Sequence, residues 1–346
     1  MAATMRVAVY HSNSDVRIEE RPIPAIGPGE SLVRIHASGI CGSDVMEWYR
    51  LPKAPLVLGH EVAGEVVAVG EGVTNVAVGD RVVVSHHVPC NACRQCLEGN
   101  HTACHTLHTT NFDPGGFSEY VRVPALQTDR GILHLPDDVT YEQGSFVEPL
   151  GCVVRAQTRS GVRPGSTVLV IGSGISGLLH VRLAVALGAG RVFATDVSPY
   201  RLDWARASGA TEAFDAAAVG DALPDLLRAA NDGRLADLVM LSTGALPAIS
   251  QGLSCLESGA TFVFFAPPPP GEPLAMPMAD LWRREVVVRT AYGAAPADLS
   301  MALDLIATGR VRVDDLVTHC LSLDRAAEGF GLVAAASDSV KVIIEP

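Results

Sequence analysis

The sequence predicts an α/β protein in which a β-rich part encloses a doubly wound parallel sheet. Three observations carry that prediction. Short strand-like runs separated by turn residues fill the chain up to about residue 135. From "STVLVIG" (166–172) onward, strand-like and helix-like runs alternate, and such alternation builds a parallel sheet with helices on both faces. The chain then ends on "KVIIEP", a strand-like run that returns to the first part.

In order, "MRVAV" (5–9) and "SLVRIHA" (31–37) carry strand signals, joined by the Pro/Gly-rich "RPIPAIGPGE". "EVAGEVVAVG" and "DRVVVS" are further short strands with Gly and Asp turns between them. In the second part, "LLHVRLAVALG" (178–188) has the apolar spacing of a buried helix. "RVFATD" (191–196) is a strand and "YRLDWARASGA" a helix. "ADLVMLSTG" (236–244) and "ATFVFFAP" (260–267) continue the alternation, and "LSMALDLIATGRV" is a late helix. The "PPPP" at 267–270 is a stiff loop.

The 346 residues suffice for two domains. A hydrophobic content of 48% against 18% charged residues predicts a large core. No apolar run reaches the ~18–20 residues of a membrane span. The N-terminus lacks the basic-then-apolar pattern of an export signal, so a cytoplasmic protein is expected. A net charge of −12 argues against nucleic acid or an anionic membrane as partner.

Four of the eight cysteines sit in "CNACRQCLEGNHTAC" (90–104). Three thiols spaced C-x2-C-x2-C cannot all pair with one another, and a cytosolic chain keeps them reduced. Thiolates at that spacing converge on one cation. Cys90, Cys93, Cys96 and Cys104 therefore read as a closed tetrahedral zinc site, with iron–sulfur ligation as the rival. A tetrathiolate has no vacant position for substrate, so zinc chemistry needs a second site. The neighbouring His86, His87, His101, His105 and His108 read as surface residues. Cys152, Cys255 and Cys320 read as core thiols, and His319 as structural.

"VLVIGSGISGLL" places Gly172, Gly174 and Gly177 in G-x-G-x-x-G spacing between a strand and a helix. The first glycine permits the turn, the second admits a pyrophosphate, and the third lets helix pack on strand. Ile175 opens the helix, whose N-terminus offers free N–H groups to phosphate. Asp196, ending the next strand, can bind both ribose hydroxyls and repels a 2′-phosphate, so NAD is favoured. Arg201 can reach the adenosine side, and Thr243 lies beyond a later strand of the same sheet.

Cys41 in "ASGICGSD", His60 and Glu61 in "LVLGHEVAGEV", and Glu148 in "SFVEPLGCVV" are ordinary singly. Together they supply one thiolate, one imidazole and two carboxylates. That set suits an open zinc site with three protein ligands and a free position.

These motifs in this order ("GICGSD", "GHE" followed by "AGEV", "GDRV", the four-cysteine loop, "GGFSEY", "EPL" and "GSGISG") resemble the zinc-dependent medium-chain dehydrogenases. The likeness is strongest to their polyol branch, which includes sorbitol, idonate and threonine dehydrogenases. It implies a GroES-like catalytic domain over 1–153 and 290–346 around a Rossmann domain over 154–289. It implies that Cys41, His60 and either Glu61 or Glu148 hold a catalytic zinc, and that the four-cysteine zinc is structural. It also implies hydride transfer from a secondary alcohol to NAD in a homodimer or homotetramer. Ser43 matches a family hydroxyl that takes the first proton, and Asp44 reads as a loop-fixing residue.

Three positions depart from the family pattern. Met46 replaces a histidine that passes protons to solvent in many relatives. Tyr292 lacks the adjacent arginine of the polyol enzymes, and Phe265 stands near a glycine position over the nicotinamide. The substrate pocket is expected around Met46, Phe117 and Tyr292. The leading expectation is a polyol, sugar-derivative or aminocyclitol dehydrogenase. An amino-alcohol or simple secondary alcohol dehydrogenase of threonine or butanediol type is the nearest alternative. A non-catalytic dinucleotide-binding protein is the alternative of another class, and a zinc-ribbon nucleic-acid module conflicts with the acidic charge.

Overall fold

The computed structural model describes residues 3–346. The chain forms two compact units. One runs to Gly151 and resumes at Gly293, and the other comprises Cys152–Tyr292.

The first unit is β-rich. Thr4–Ser12 pairs antiparallel with Asp15–Pro22 on one edge and with Leu56–Val57 on the other. The hairpin strand Asp15–Pro22 has no counterpart in the sequence reading. Its residues, "DVRIEERP", are mostly charged and none of them is buried. Such a charged edge strand resists pairing with other chains, but it lacks the apolar signal by which strands are found.

The larger sheet of this unit orders Val317–Ser322, Lys341–Glu345, Ser31–Gly39, Glu61–Val69, Arg81–Val84 and Ile132–His134, with Tyr120–Val123 also pairing with Ser31–Gly39. The closing strand thus lies directly beside Ser31–Gly39. In register, Ile343 faces Gly39 and Gly39 faces Glu61. Side chains alternate along a strand, so Lys341 and Ile343 share one face. This register brings residue 341 over residue 61. Val317–Ser322 is a sheet edge, and its Cys320 is exposed rather than in the core, because the strand buries Leu321 and turns Cys320 outward.

The second unit holds a six-stranded, all-parallel sheet. Its order is Glu212–Asp215, Arg191–Asp196, Thr167–Ile171, Ala236–Leu241, Leu256–Phe264 and Val287–Thr290. Every residue of the central strand Thr167–Ile171 is buried, as expected for a strand covered on both faces. The strand order reverses beside this strand, and ligands of such sheets bind at that crevice, outside the strands' carboxyl ends. The motif glycines stand there. Gly172 takes φ +89°, a region that favours glycine. The helix Ile175–Ala186 begins at the glycine turn, earlier than its apolar pattern alone indicates. Among the described residues, no helix is long and apolar enough to cross a membrane.

A Cβ on Gly177 would collide with the carbonyl of Gly172, so this glycine fixes how closely helix and turn approach. Gly177→Ala is expected to destabilise by about 1–3 kcal/mol through overpacking, which lowers Tm by roughly 2–12 °C. A melting curve matching the wild type within a degree would contradict this.

Candidate active site

The four cysteines of the 90–104 loop come together. Their sulfurs all lie within 4.8 Å of one another. Cys93 and Cys96 are 3.5 Å apart, and Cys90 and Cys104 are 3.6 Å apart. None is in a disulfide. Asn91 at φ +59° makes the turn that lets Cys93 approach Cys90. Burial opposes ionisation of Cys104, but backbone N–H groups of Cys90 and Leu107 outweigh it and hold the thiol at about 5. Burial pushes Cys96 up to about 12. Sulfurs held this way require a cation to be jointly ionised, and tetrahedral zinc fits the donor set.

The second cluster is smaller and open. Donor atoms of Cys41, His60 and Glu61 lie within 4.8 Å of one another. Cys41 follows the strand Ser31–Gly39, and Glu61 begins the adjacent strand Glu61–Val69, so sheet pairing brings the donors together. Cys41 and His60 are partly exposed, whereas Glu61 is buried. Asp44 orients the imidazole: its Oδ1 lies 3.5 Å from His60 Nδ1, leaving Nε2 for a metal. The fully buried Asp44 also accepts hydrogen bonds from the Cys41 backbone N–H (3.1 Å) and from Arg50 (2.9 Å). Burial disfavours a charged His60, but Asp44 and Cys41 outweigh it and raise its pKa well above 6.5. Burial likewise opposes ionisation of Asp44, and His60 and Arg50 overcome it. Arg50 additionally donates to the backbone carbonyl (2.9 Å) and hydroxyl (3.0 Å) of Ser43.

Glu61 has a partner that the sequence reading did not identify. Its Oε2 pairs with Lys341 Nζ, and both side chains are buried. Glu61 Oε1 is buried without a hydrogen-bond partner, as befits an oxygen reserved for a metal. Lys341 also sits 5.5 Å from the Phe146 ring. A Cβ at Gly39 would collide with both members of the pair. A signal for Lys341 exists in the sequence: Lys53 and Lys341 are the only lysines in an arginine-rich chain, and Lys341 stands in the apolar run "VKVII".

His86 and His87 are a correction. Both are partly buried, not surface residues. The ring of His86 lies 4.9 Å from that of His60 and 3.8 Å from that of His87. Burial, with the neighbouring positive groups, lowers His86 well below 6.5 and His87 to about 4, so both rings are neutral. His105 and His108 are exposed, and His101 is partly so. Phe117 is also placed differently from expectation. It is fully buried in the core and meets Phe330 edge-on at 5.5 Å, so it supports the site from within rather than lining a pocket. Met46 is partly buried ahead of the short helix Glu47–Arg50, and Tyr292 is half-exposed after the strand Val287–Thr290. Glu148 lies in the first turn of the helix Val147–Ser160.

In the second unit, the residues around the glycine turn form a cradle. A Cβ on Gly172 would lie 3.2 Å from Thr243, which places Thr243 beside the turn. Gly174 precedes the helix beginning at Ile175. Asp196 accepts from Ser173 N (2.7 Å) and Ser198 N (2.9 Å), so its carboxylate is fixed beside the turn. The Arg201 guanidinium lies 3.8 Å from where a Gly174 Cβ would stand, and its Nε is buried without a partner. Phe265 stands edge-on to His180 at 4.6 Å.

Comparison with known proteins gives this geometry its family. Residues 27–137 match the alcohol dehydrogenase GroES-like domain, and residues 176–308 match the zinc-binding dehydrogenase domain. Sorbitol dehydrogenase of Gallus gallus is 34% identical over 358 residues, covering 100% of this chain and 98% of that protein. This chain belongs to the zinc-binding medium-chain alcohol dehydrogenase family. Two solved structures extend the likeness. A zinc-binding dehydrogenase of Sinorhizobium meliloti 1021 bound to NADP has a TM-score of 0.89 at 30% identity, covering 99% of this chain and 100% of that one. The 2R,3R-butanediol dehydrogenase of Bacillus subtilis has a TM-score of 0.85 at 29% identity, covering 99% of each chain. The protein is therefore a zinc-dependent dehydrogenase of the polyol and alcohol type, with a four-cysteine structural site, a Cys/His/Glu catalytic site and a dinucleotide cofactor.

Lys341 balances the Glu61 charge most heavily when zinc is absent. Breaking a buried pair costs about 3–5 kcal/mol. Lys341→Met is expected to melt much earlier than wild type after chelator treatment, with the gap narrowing on zinc addition. Equal gaps in both states would refute this coupling.

Proposed function

We propose that the protein oxidises a secondary alcohol of a polyol, sugar derivative or aminocyclitol, with NAD as hydride acceptor. The observation that carries the reading is the open cluster of Cys41, His60 and Glu61, with Glu61 Oε1 unpartnered. Zinc held there supplies a Lewis acid for an alcohol oxygen. The remaining parts belong to the chain itself. Ser43 Oγ receives the alcohol proton as its own hydroxyl proton passes onward, and the Arg50 hydrogen bond fixes its position. Met46 can neither accept nor donate that proton. Glu148 and water therefore complete its path, and Cys41, His60 and Glu61 would hold the zinc.

For the cofactor, Gly172, Gly174, Ile175, Gly177 and Thr243 form the pyrophosphate cradle. Asp196 takes the ribose hydroxyls, and its carboxylate disfavours a 2′-phosphate. Arg201 lies over Gly174 and contacts the phosphates or adenosine. The NADP in the Sinorhizobium meliloti structure makes this choice worth a direct test. Met46, beside the Cys41 cluster in sequence, is a substrate-side residue. Ala291 precedes Tyr292 where the polyol enzymes carry arginine, which favours butanediol- or threonine-type alcohols as the second reading. The assembly is a homodimer or homotetramer. The strand Val287–Thr290, with Val287 and Val288 exposed, is the open edge available for it.

An NAD- and NADP-reduction screen over polyols, sugars, aminocyclitols and amino alcohols tests the proposal, with chelator-treated protein as control. Turnover is expected with NAD and is lost on stripping. One zinc per chain and no turnover would instead mark a dinucleotide-binding protein. Asp196→Ala should move the NAD-to-NADP ratio of kcat/KM at least tenfold toward NADP, and an unmoved ratio would remove the role given to Asp196. Glu148→Gln should lower kcat at neutral pH by about 100-fold with zinc content intact. Full activity would exclude Glu148 from the proton path.

A further inference from the structure

Two histidines beside the catalytic cluster have no part in the chemistry above. His86 and His87 follow the strand Arg81–Val84, and Ser85 Oγ donates to the His87 carbonyl (2.9 Å), fixing the backbone between them. The His86 ring is locked on three sides. His60 lies at 4.9 Å, His87 at 3.8 Å, and Phe112 meets it edge-on at 6.4 Å. His86 does not join the donor cluster of Cys41, His60 and Glu61. Its Nδ1 is buried and has no hydrogen-bond partner, although the ring as a whole is only partly buried. A buried polar atom left unpaired is costly, and its survival in a rigid ring beside a reaction centre points to a ligand group as partner. Arg50 cannot be that partner's alternative anchor, since its guanidinium is committed to Ser43 and Asp44.

We propose that His86, held in place by His87, is a specificity-determining residue that binds the hydroxyl next to the reacting carbinol, which makes the substrate a vicinal diol or a polyol containing one. This rests on the alcohol-oxidising reading above. The ring nitrogens of an imidazole can hydrogen-bond a hydroxyl group as donor or acceptor. An alcohol without the second hydroxyl leaves Nδ1 unpaired in the complex. Sites built to hydrogen-bond a substrate hydroxyl discriminate strongly against analogues that lack it, whereas apolar pockets do not. A phenylalanine at position 86 would keep the ring packing and lose the recognition.

The test compares 2,3-butanediol with 2-butanol, which share a carbon skeleton. Wild type is expected to favour the diol in kcat/KM. In His86→Phe the diol-to-monoalcohol ratio should fall about 10- to 100-fold, and His86→Asn, which keeps a donor and an acceptor, should recover much of it. As a second readout, the diol should raise Tm of the zinc-loaded wild type without NAD, and this shift should vanish in His86→Phe. Zinc content is measured for each variant. Should His86→Phe lose zinc, His87→Phe replaces it, with a smaller fall in the same ratio expected. A ratio within twofold of wild type, together with a retained thermal shift, would overturn the proposal. Absence of NADH from wild type with every alcohol would defeat the alcohol-oxidising reading, and the thermal shift would still decide whether His86 recognises the diol.

Discussion

The catalytic half of this protein depends on a buried negative charge. Glu61 lies almost wholly out of water, and an isolated carboxylate there would cost several kcal/mol. Lys341 removes most of that cost, and it arrives from the far end of the chain. The strand that carries it pairs with Ser31–Gly39, which pairs in turn with Glu61–Val69. The same pairing puts Cys41 near His60. Sheet register, ion pair and ligand geometry are therefore one arrangement, and Gly39 is the small residue that leaves room for it.

The two cysteine-bearing sites illustrate how a protein assigns different roles to similar chemistry. The 90–104 loop surrounds its site with four sulfurs close in sequence, so a bound ion has no place for a further ligand. The Cys41 site draws donors from two separate segments and stops at three. Its supporting shell is polar and charged: Asp44 holds His60 and Arg50 holds Asp44 and Ser43. This shell fixes directions before any ligand arrives, and preorganisation of that kind is what positions reacting groups.

The fold was legible in the sequence wherever burial leaves a pattern. The central parallel strands Thr167–Ile171 and Ala236–Leu241 are covered on both faces and read as apolar runs. The glycine turn was legible because its backbone geometry admits few other residues. The hairpin strand Asp15–Pro22 was not, since a charged edge strand looks like a loop by composition. His86 and His87 were misjudged for a related reason. Next to a cysteine loop they look like exposed polar residues, and only packing against His60 and Phe112 makes them neutral and partly buried. Phe117 was expected at the pocket, and the core claimed it instead.

By itself, the sequence determined the residue types at short spacing: four thiols that come together in one loop, three glycines at a strand–helix turn, and an acid at the end of the next strand. Local spacing suffices there, because each feature is built within one loop or one strand–helix unit. Only the tertiary structure decided which carboxylate joins Cys41 and His60, which cation neutralises it, and which imidazoles stand beside it. Those partners lie up to 280 residues apart, and strand register alone brings them into contact.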